Sequence, residues 1–511
     1  MCELPFSIVD HSAFRIMIQN LQPEFNLNHK TAKTKDILQL YRKEKKILQD
    51  LILKSKGRIS LTTDTWTSIQ TMCYMSITAH YIDENWKLQK KIINFLHLDE
   101  RHTGIILSLT IEKCLAEWRI EDKLCALVLD NVSANNIVAS TLKGRYRLSL
   151  PLAGKYFHIR CSAHILNLIV KEGLKELDDN IVRIRDAVKF VLSSPQRLKV
   201  FDCVTRWNST YHMLKRALEH KDVFYRFNLI ESFKHPPTEN DWSIAQELCN
   251  FLKVFDDSTN IFSVIKTPTA NLYFFQVCMI QLHLKKNWNS ILISKMQVAM
   301  LEKFTQYWEN YSMMLAIAVV LDPRRKLDFV AFCYTKVYND SSQMYVKAVF
   351  DELSKLFDWY EEKVNSSRHH SVASDFRDES SSLVSSNEDL SMNDFLKFKA
   401  ETRKEEESKT ELEIYLQEPF SPDDAIFDIL KWWEVNESKF QILAAMARDI
   451  LSIPVSTVAS ESAFSTGSRV IQKKRTCLKP YTIQALICLQ DWLREKFSNP
   501  SMSNGKLHNV I

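Results

Sequence analysis

The run Ile59-Ser60-Leu61-Thr62-Thr63-Asp64-Thr65-Trp66 decides how the chain is read. Ile59, Leu61 and Thr63 alternate with their neighbours up to a carboxylate, the period-two pattern of a strand with one buried face. Two more β-rich runs follow it, Met72 to Tyr81 (MCYMSITAHY) and Lys87 to Leu98 (KLQKKIINFLHL), separated by the turn-forming Asp83-Glu84-Asn85. Three strands in meander order are predicted. Ile105 to Trp118 then takes a helical period. Cys125 to Leu129 (CALVL) is a short continuous apolar run suited to a strand covered on both faces, and Tyr156 to Ile159 is a further strand before a helix from about Ala163.

The resulting order, β-β-β-α-β-α-β-α, is that of the RNase H-like nuclease fold, in which helices flank a mixed sheet and acidic residues gather at neighbouring strand ends. Asp64 and Asp130 both sit at the ends of strand-like runs. Carboxylate oxygens so placed suit Mg²⁺ or Mn²⁺ in phosphodiester cleavage. An Asp after a strand also serves as a turn residue or helix N-cap, so in isolation each residue keeps both readings.

Outward from this core, Phe14 to about Lys56 carries amphipathic helices with a polar break near Asn26 to Lys30. The basic cluster Arg42, Lys43, Lys45 and Lys46 reads first as a solvated helix face. After about Arg216 the strand patterns stop, and helical ones, including Asp241 to Phe262 and Tyr345 to Tyr360, continue to about Glu362. Between Asn365 and Lys409 the chain is rich in Ser, Glu, Asp and Lys, too polar to bury a core. Aromatics return from Leu412 to Phe497, which reads as a compact C-terminal unit. The expected organisation is a helical lead-in (1–57), the first part of the core (58–215), a helical insertion domain (216–364), a disordered Ser/acidic linker (365–410), a C-terminal region completing the core (411–497) and a tail (498–511). The fold class is thus α/β plus all-α.

With 511 residues the chain outgrows a single hydrophobic core, and 45% hydrophobic and 25% charged residues are ordinary globular fractions. Only 7 Gly and 13 Pro favour long helices. The net charge of +5 is a weak excess, so nucleic-acid binding would need local basic faces. The 11 Cys are odd in number and form no CxxC pair, as expected for reduced thiols inside a cell. No leader pattern opens the chain, and no apolar run approaches the ~20 residues that span a bilayer, so no membrane association is expected.

Several strings, in order, carry a resemblance. Thr63-Asp64-Thr65-Trp66-Thr67-Ser68, His102-Thr103-Gly104, Asp130-Asn131-Val132-Ser133-Ala134-Asn135-Asn136, Cys161-Ser162-Ala163-His164-Ile165-Leu166-Asn167-Leu168, Thr205-Arg206-Trp207-Asn208-Ser209-Thr210 and Ala459-Ser460-Glu461-Ser462-Ala463-Phe464-Ser465-Thr466-Gly467 stand in sequence. Together they resemble the hAT transposase superfamily, especially its plant, RICESLEEPER-like members, over most of the chain from Leu61 to Leu493. Val132 stands where the family more often has Ala, and Gln441 where it commonly has Pro.

The resemblance implies a third catalytic, metal-binding carboxylate, Glu461, beside Asp64 and Asp130. On its own sequence context Glu461 reads as a first-turn helix residue favoured by the helix dipole. Mg²⁺ or Mn²⁺ is the implied cofactor of an active protein, with no small-molecule cofactor. Cys161 and His164 have no second Cys/His pair at finger spacing, so no zinc is expected. The resemblance implies that they support the active-site floor or contact DNA; a satisfied core histidine is the other reading of His164. Arg206 and Trp207 combine a phosphate fork with a π face that holds a base turned out of the stack, and the family uses the Trp so. A buried Trp with a surface Arg nearby is the alternative. Lys473, Lys474 and Arg475 complete the expected DNA-binding set.

The C-terminal segment resembles the hAT dimerisation region, with Trp432, Trp433, Phe464, Leu486 and Trp492 as expected interface residues; aromatics fill monomeric cores equally well. The implied partners are DNA and a second copy of the chain, as a homodimer or higher oligomer, and the implied compartment is the nucleus. A BED zinc finger, usual at the front of such proteins, is not found before Leu61, which reads as a truncated element copy or a host protein without that targeting part. The implied function is DNA strand cleavage and transfer, with a catalytically silent transcriptional or chromatin regulator as the alternative.

Overall fold

The Asp83 side chain builds the turn that sets the sheet's register. Its Oδ1 accepts from the Asn85 and Lys87 amides at 2.9 and 3.0 Å, and Trp86 between them takes a left-handed φ of 53°. The turn joins β2 (Cys73–Ile82) to β3 (Leu88–Leu98) in antiparallel pairing. β1 (Ile59–Thr67) pairs antiparallel with β2 on one side and parallel with β4 (Leu124–Leu129) on the other, and β4 pairs parallel with β5 (His158–Arg160). The order across the five-stranded sheet is β3-β2-β1-β4-β5. The meander and the two later strands fall where the apolar patterns put them.

The computed structural model describes residues 6–24, 30–68, 71–99, 103–176, 178–192, 207–222, 224–225, 236–308, 312–371, 409–424, 426–471 and 478–498. Helices α1 (Ser12–Leu21) and α2 (Lys30–Lys54) precede the sheet. α3 (Gly104–Trp118), α4 (Ser133–Arg145), α5 (Ser162–Lys175) and α6 (Asp178–Leu192) interleave with or follow its strands. The helical insertion supplies α7 (Trp207–Glu219), α8 (Glu239–Phe262), α9 (Ala270–Lys285), α10 (Ile291–Trp308), α11 (Met313–Val320), α12 (Lys326–Tyr338) and α13 (Ser342–Ser371). α14 (Glu411–Gln417), α15 (Ile429–Asn436), α16 (Gln441–Ile450), α17 (Val458–Val470) and α18 (Pro480–Ser498) close the chain.

Two hydrophobic cores hold these elements. One gathers the insertion helices, α5, the β4–β5 side of the sheet and the C-terminal residues from Leu412 to Val455. The other gathers α2, α3, α4 and the meander with the C-terminal residues from Ala463 to Leu493. The C-terminal segment is therefore divided between two cores and is not a compact unit of its own. Its first half docks on α11: Tyr415 Oη donates to the Val320 carbonyl at 2.9 Å and Trp433 Nε1 to the Leu321 carbonyl at 3.0 Å. A second adjustment concerns the linker, since α13 runs on to Ser371, past the expected boundary at 365. The remainder of that linker, 372–408, and the tail beyond 498 lie outside the described residues.

Gly104 fixes how α3 and α4 meet. A Cβ there would sit 2.5 Å from the Ala134 carbonyl oxygen and 2.6 Å from Ile137 Cβ, so only glycine lets the two helix starts touch. Thr103 caps the same helix by accepting from the Ile106 amide at 3.3 Å. This packing brings the beginning of α4, immediately after Asp130, against the end of β1.

Candidate functional site

Register places the first two carboxylates together. Thr62 pairs with Val128 across the parallel β1–β4 ladder, so Asp64 and Asp130, each two residues further on, share one face; Asp130 follows the end of β4, whereas β1 runs past the expected stop at Asp64 to Thr67, because its last residues still pair with β2. Both are half-buried. Asp64 Oδ1 accepts from the Thr65 amide at 2.7 Å, and Asp130 Oδ1 accepts from Asn135 Nδ2 in the first turn of α4. Asp64, Asn135, Thr63, Thr65, Met75, Leu107, Ile111 and Val138 line a small cleft between the sheet and α3–α4.

Glu461 reaches this point from the other end of the sequence. It lies in the first turn of α17, half-buried, where the helix dipole tolerates an acid. Burial pushes the Asp64 carboxyl up to about 7; the Asp130 charge adds to the rise, the Thr65 hydrogen bond opposes it, and the Glu461 charge adds a smaller share. Asp64 thus feels, through space, the charges of two carboxylates far from it in sequence. Oxygen-only, mutually repelling donors match what a hard divalent cation takes. Among the described residues no three His, Cys, Asp or Glu side chains are drawn into a group that would hold such an ion in the arrangement seen.

Cys161 departs from the expected DNA contact. It is fully buried at the N-cap of α5, and its sulfur accepts from both the amide and the hydroxyl of Thr457, the N-cap of α17, at 3.4 and 3.3 Å. A sulfur enclosed in this way offers nothing to a nucleic acid. His164, in the same first turn of α5, is half-buried. Trp207 opens α7, while Arg206, Lys473, Lys474 and Arg475 lie outside the described residues.

The expected interface aromatics are largely spent within one chain. Trp433 is fully buried, Phe464 is buried and stacks on Trp66 with ring centroids 5.8 Å apart, and Trp492 donates Nε1 to the Ile92 carbonyl at 2.8 Å. Trp432 and Leu486 are half-buried against the same cores. An amphipathic pattern identifies a buried face without saying whether its cover is intramolecular, and here the cover is the chain's own sheet and insertion.

What the sequence reading missed is a polar seam. Ser60, Thr62 and Asp64 on β1 pair with His80, Thr78 and Ser76 on β2, so all six share the sheet face on which Ser460 of α17 rests. Ser460 Oγ donates to Thr62 Oγ1 at 2.9 Å and lies 3.4 Å from Thr78 Oγ1, while Thr62 Oγ1 and His80 Nε2 are 3.0 Å apart. Burial, helped by the Lys90 charge, pulls His80 down to about 3, so its ring stays neutral and shares one hydrogen bond with the Thr62 hydroxyl. The available signal was the run of Ser and Thr at inward-facing positions of β1 and β2, where apolar residues are the norm.

Sequence comparisons agree with this architecture. The profile of the ZBED1 RNase-like domain matches residues 62–156, its helical domain 159–202 and 198–251, the hAT-like transposase RNase-H fold 271–360, and the hAT family C-terminal dimerisation region 411–493. The third of these profiles falls on helices α9 to α13; the strands lie within or beside the first. Among curated proteins, the chain is 36% identical to the Zea mays protein named AC transposase, over 96% of this chain and 64% of that protein. It is 33% identical to the zinc finger BED domain-containing protein RICESLEEPER 2 of Oryza sativa, over 99% of this chain and 75% of the relative, and 32% identical to DAYSLEEPER of Arabidopsis thaliana, over 98% and 73%. The chain therefore spans about two-thirds to three-quarters of the length of these relatives.

Proposed function

We propose, since this chain belongs to the hAT transposase family, that it is a DNA-acting, self-associating nuclear protein whose Asp64, Asp130 and Glu461 form a centre for DNA strand cleavage. The observation that carries the reading is the convergence on Asp64, a carboxyl raised to about 7 with two further carboxylates as contributors. Acids placed so that they repel one another lower stability, and a cation-dependent reaction is a reason to keep them. Asp64, Asp130 and Glu461 would hold Mg²⁺ or Mn²⁺, which supplies Lewis-acid stabilisation of the phosphodiester and a more acidic water.

The chain's own groups orient this set. The Thr65 amide fixes one oxygen of Asp64, and the Asn135 amide group fixes one oxygen of Asp130, leaving each carboxylate a second oxygen for the reacting centre. Water attack at phosphorus would break the P–O3′ bond and leave a 3′-hydroxyl and a 5′-phosphate. In this reading Arg206, Trp207, Lys473, Lys474 and Arg475 hold the DNA, and the region 411–493 supports self-association.

The test is Mg²⁺- or Mn²⁺-dependent nicking of duplex DNA by the purified chain, with Asp130→Ala and Glu461→Ala as controls. Metal-dependent nicking lost in both variants is expected. The relatives' names also divide between a transposase and zinc finger BED domain proteins, which favours a second reading, a silent DNA-binding regulator. Salt-sensitive DNA binding without any nicking would select it.

A further inference from the structure

The first turn of α17 is pinned at two points that do not resemble ordinary helix packing. At its N-cap, Thr457 donates both its amide and its hydroxyl to the Cys161 sulfur at the end of β5. Three residues on, Ser460 donates to Thr62 in the middle of β1, and Thr62 in turn meets His80 of β2. Thr62, His80, Ser460 and Cys161 are all enclosed, with exposures of 0, 4, 0 and 0%. Segments flanking the turn are tied as well: the Ser162 amide donates to the Val455 carbonyl at 2.9 Å and Ser456 Oγ to the Phe262 carbonyl at 2.6 Å.

Placing hydroxyls and an imidazole in a core has a cost. A buried polar group without a partner is left desolvated and uncompensated, and an aliphatic residue would fill the same space. Part of this seam goes unsatisfied, since among the described residues the Ser76 hydroxyl on the same face has no hydrogen-bond partner. Directional contacts give something in exchange that apolar packing does not, a unique register between two surfaces. The register fixed here is that of the residue after Ser460, which is Glu461, against the strand position two before Asp64.

Resting on the cleavage reading above, we propose that Thr62, Ser460 and His80, with Cys161 and Thr457 at the helix start, are positioning residues that set Glu461 against Asp64 and Asp130. None of them touches the reacting atoms. Their role is to remove the freedom of a helix that arrives some 400 residues after β1 in sequence and that hydrophobic packing alone would hold loosely.

The experiment uses the full chain carrying Thr62→Val, which keeps shape and removes the relay, and Thr62→Ser, which restores a hydroxyl. Two readouts are taken: hydrogen exchange of the peptide spanning Val455 to Phe464, and the Mn²⁺ concentration that half-saturates nicking. Exchange at least 10-fold faster in Thr62→Val, a half-saturating Mn²⁺ concentration raised about 10-fold, and recovery of both in Thr62→Ser are expected. Unchanged exchange overturns the proposal, and so does faster exchange with an unchanged metal requirement. Should the unsubstituted chain nick nothing, the cleavage reading fails on its own, and the exchange result still decides whether the seam orders the turn of Glu461.

Discussion

Asp449 and Asp64 are both acids held in low-dielectric surroundings, and burial pushes both carboxyls up, yet the chain treats them in opposite ways. Asp449, on α16, is enclosed at 3% exposure and fully answered: Oδ1 accepts from the Arg58 amide at 2.6 Å, Oδ2 from the Tyr360 hydroxyl at 2.7 Å, and the Arg58 guanidinium lies 3.8 Å away. Arg448 beside it stacks over Trp86 at 4.1 Å and pairs with Glu437 at 3.1 Å. This knot joins the start of β1, the β2–β3 turn, the end of α13 and the C-terminal segment. Asp64 accepts one backbone amide, and beyond its burial the charges that reach it from Asp130 and Glu461 are of its own sign. A carboxylate surrounded by donors is a fastener, whereas one left without a cation beside like charges is a candidate for something that is not protein.

The comparison is broken most directly by exchanging activity for stability at the two positions. Asp64→Asn is expected to lower metal-dependent nicking at least about 1,000-fold, as loss of one member of a unit does, without lowering the melting temperature. Asp449→Ala is expected to do the reverse. It strands the Arg58 amide and the Tyr360 hydroxyl and takes the counter-charge from the Arg58 guanidinium, and removal of one partner from a buried charged network costs about 3 to 5 kcal/mol. Chemical denaturation followed by tryptophan fluorescence reads this loss, and a variant of normal stability would remove Asp449 from its role as a fastener.

Acidity sharpens the contrast further. With a folded value of about 7 against an ordinary 3.8, Asp64 adds stability that is complete below pH about 4 and is lost as pH rises to about 7. Free of metal, the chain should therefore be less stable at pH 8 than at pH 5 through this residue, and Asp64→Asn should lose that part of the slope. The full shift corresponds to a ceiling of about 4 kcal/mol, and half-exposure with solvent screening brings the expected gain of Asp64→Asn at pH 8 to about 1 to 2 kcal/mol. Denaturation curves at both pH values in EDTA measure it. A gain as large at pH 5 as at pH 8 would show that the substitution acts through packing instead.

The strands were legible because local chemistry determines them: alternation in Ile59 to Asp64, the Asp83 turn and the all-apolar CALVL run each specify one answer. Asp130 was legible as a carboxylate after a strand; Asp64 was legible on its strand but not as an interior position, since β1 runs on to Thr67. Their mutual approach was not, because Glu461 reaches Asp64 only through contacts such as Ser460 to Thr62 that span 398 residues of chain; it was nominated by resemblance. Trp433 and Trp492 show a different limit. A sequence marks them as buried, but their cover, Leu321 and Ile92, is set by how the insertion and β3 fold back, which no local pattern encodes. The same holds for Cys161, for which the resemblance implied the active-site floor or a DNA contact and whose partner proved to be Thr457.

The smallest expected effect lies at Gln441, the first residue of α16, the helix that carries Asp449. Proline suits that position because its fixed φ matches the helix and the first-turn amide has no intrahelical acceptor. Phe440 before it has φ −122° and ψ 66°, outside the helical region that a following proline disfavours. The next two amides are already engaged, Ile442 and Leu443 donating to the Glu411 carboxylate at 3.2 and 2.7 Å, so the helix start is held from outside. Gln441→Pro removes the weak 3.4 Å contact from its side chain to the Ser438 carbonyl and restricts the unfolded chain. A gain of about 0.5 kcal/mol is expected, with nicking and its metal requirement unchanged. Should the variant instead lose nicking, α16 would be coupled to the carboxylate centre, and the division between fastener and site drawn from Asp449 and Asp64 would fail.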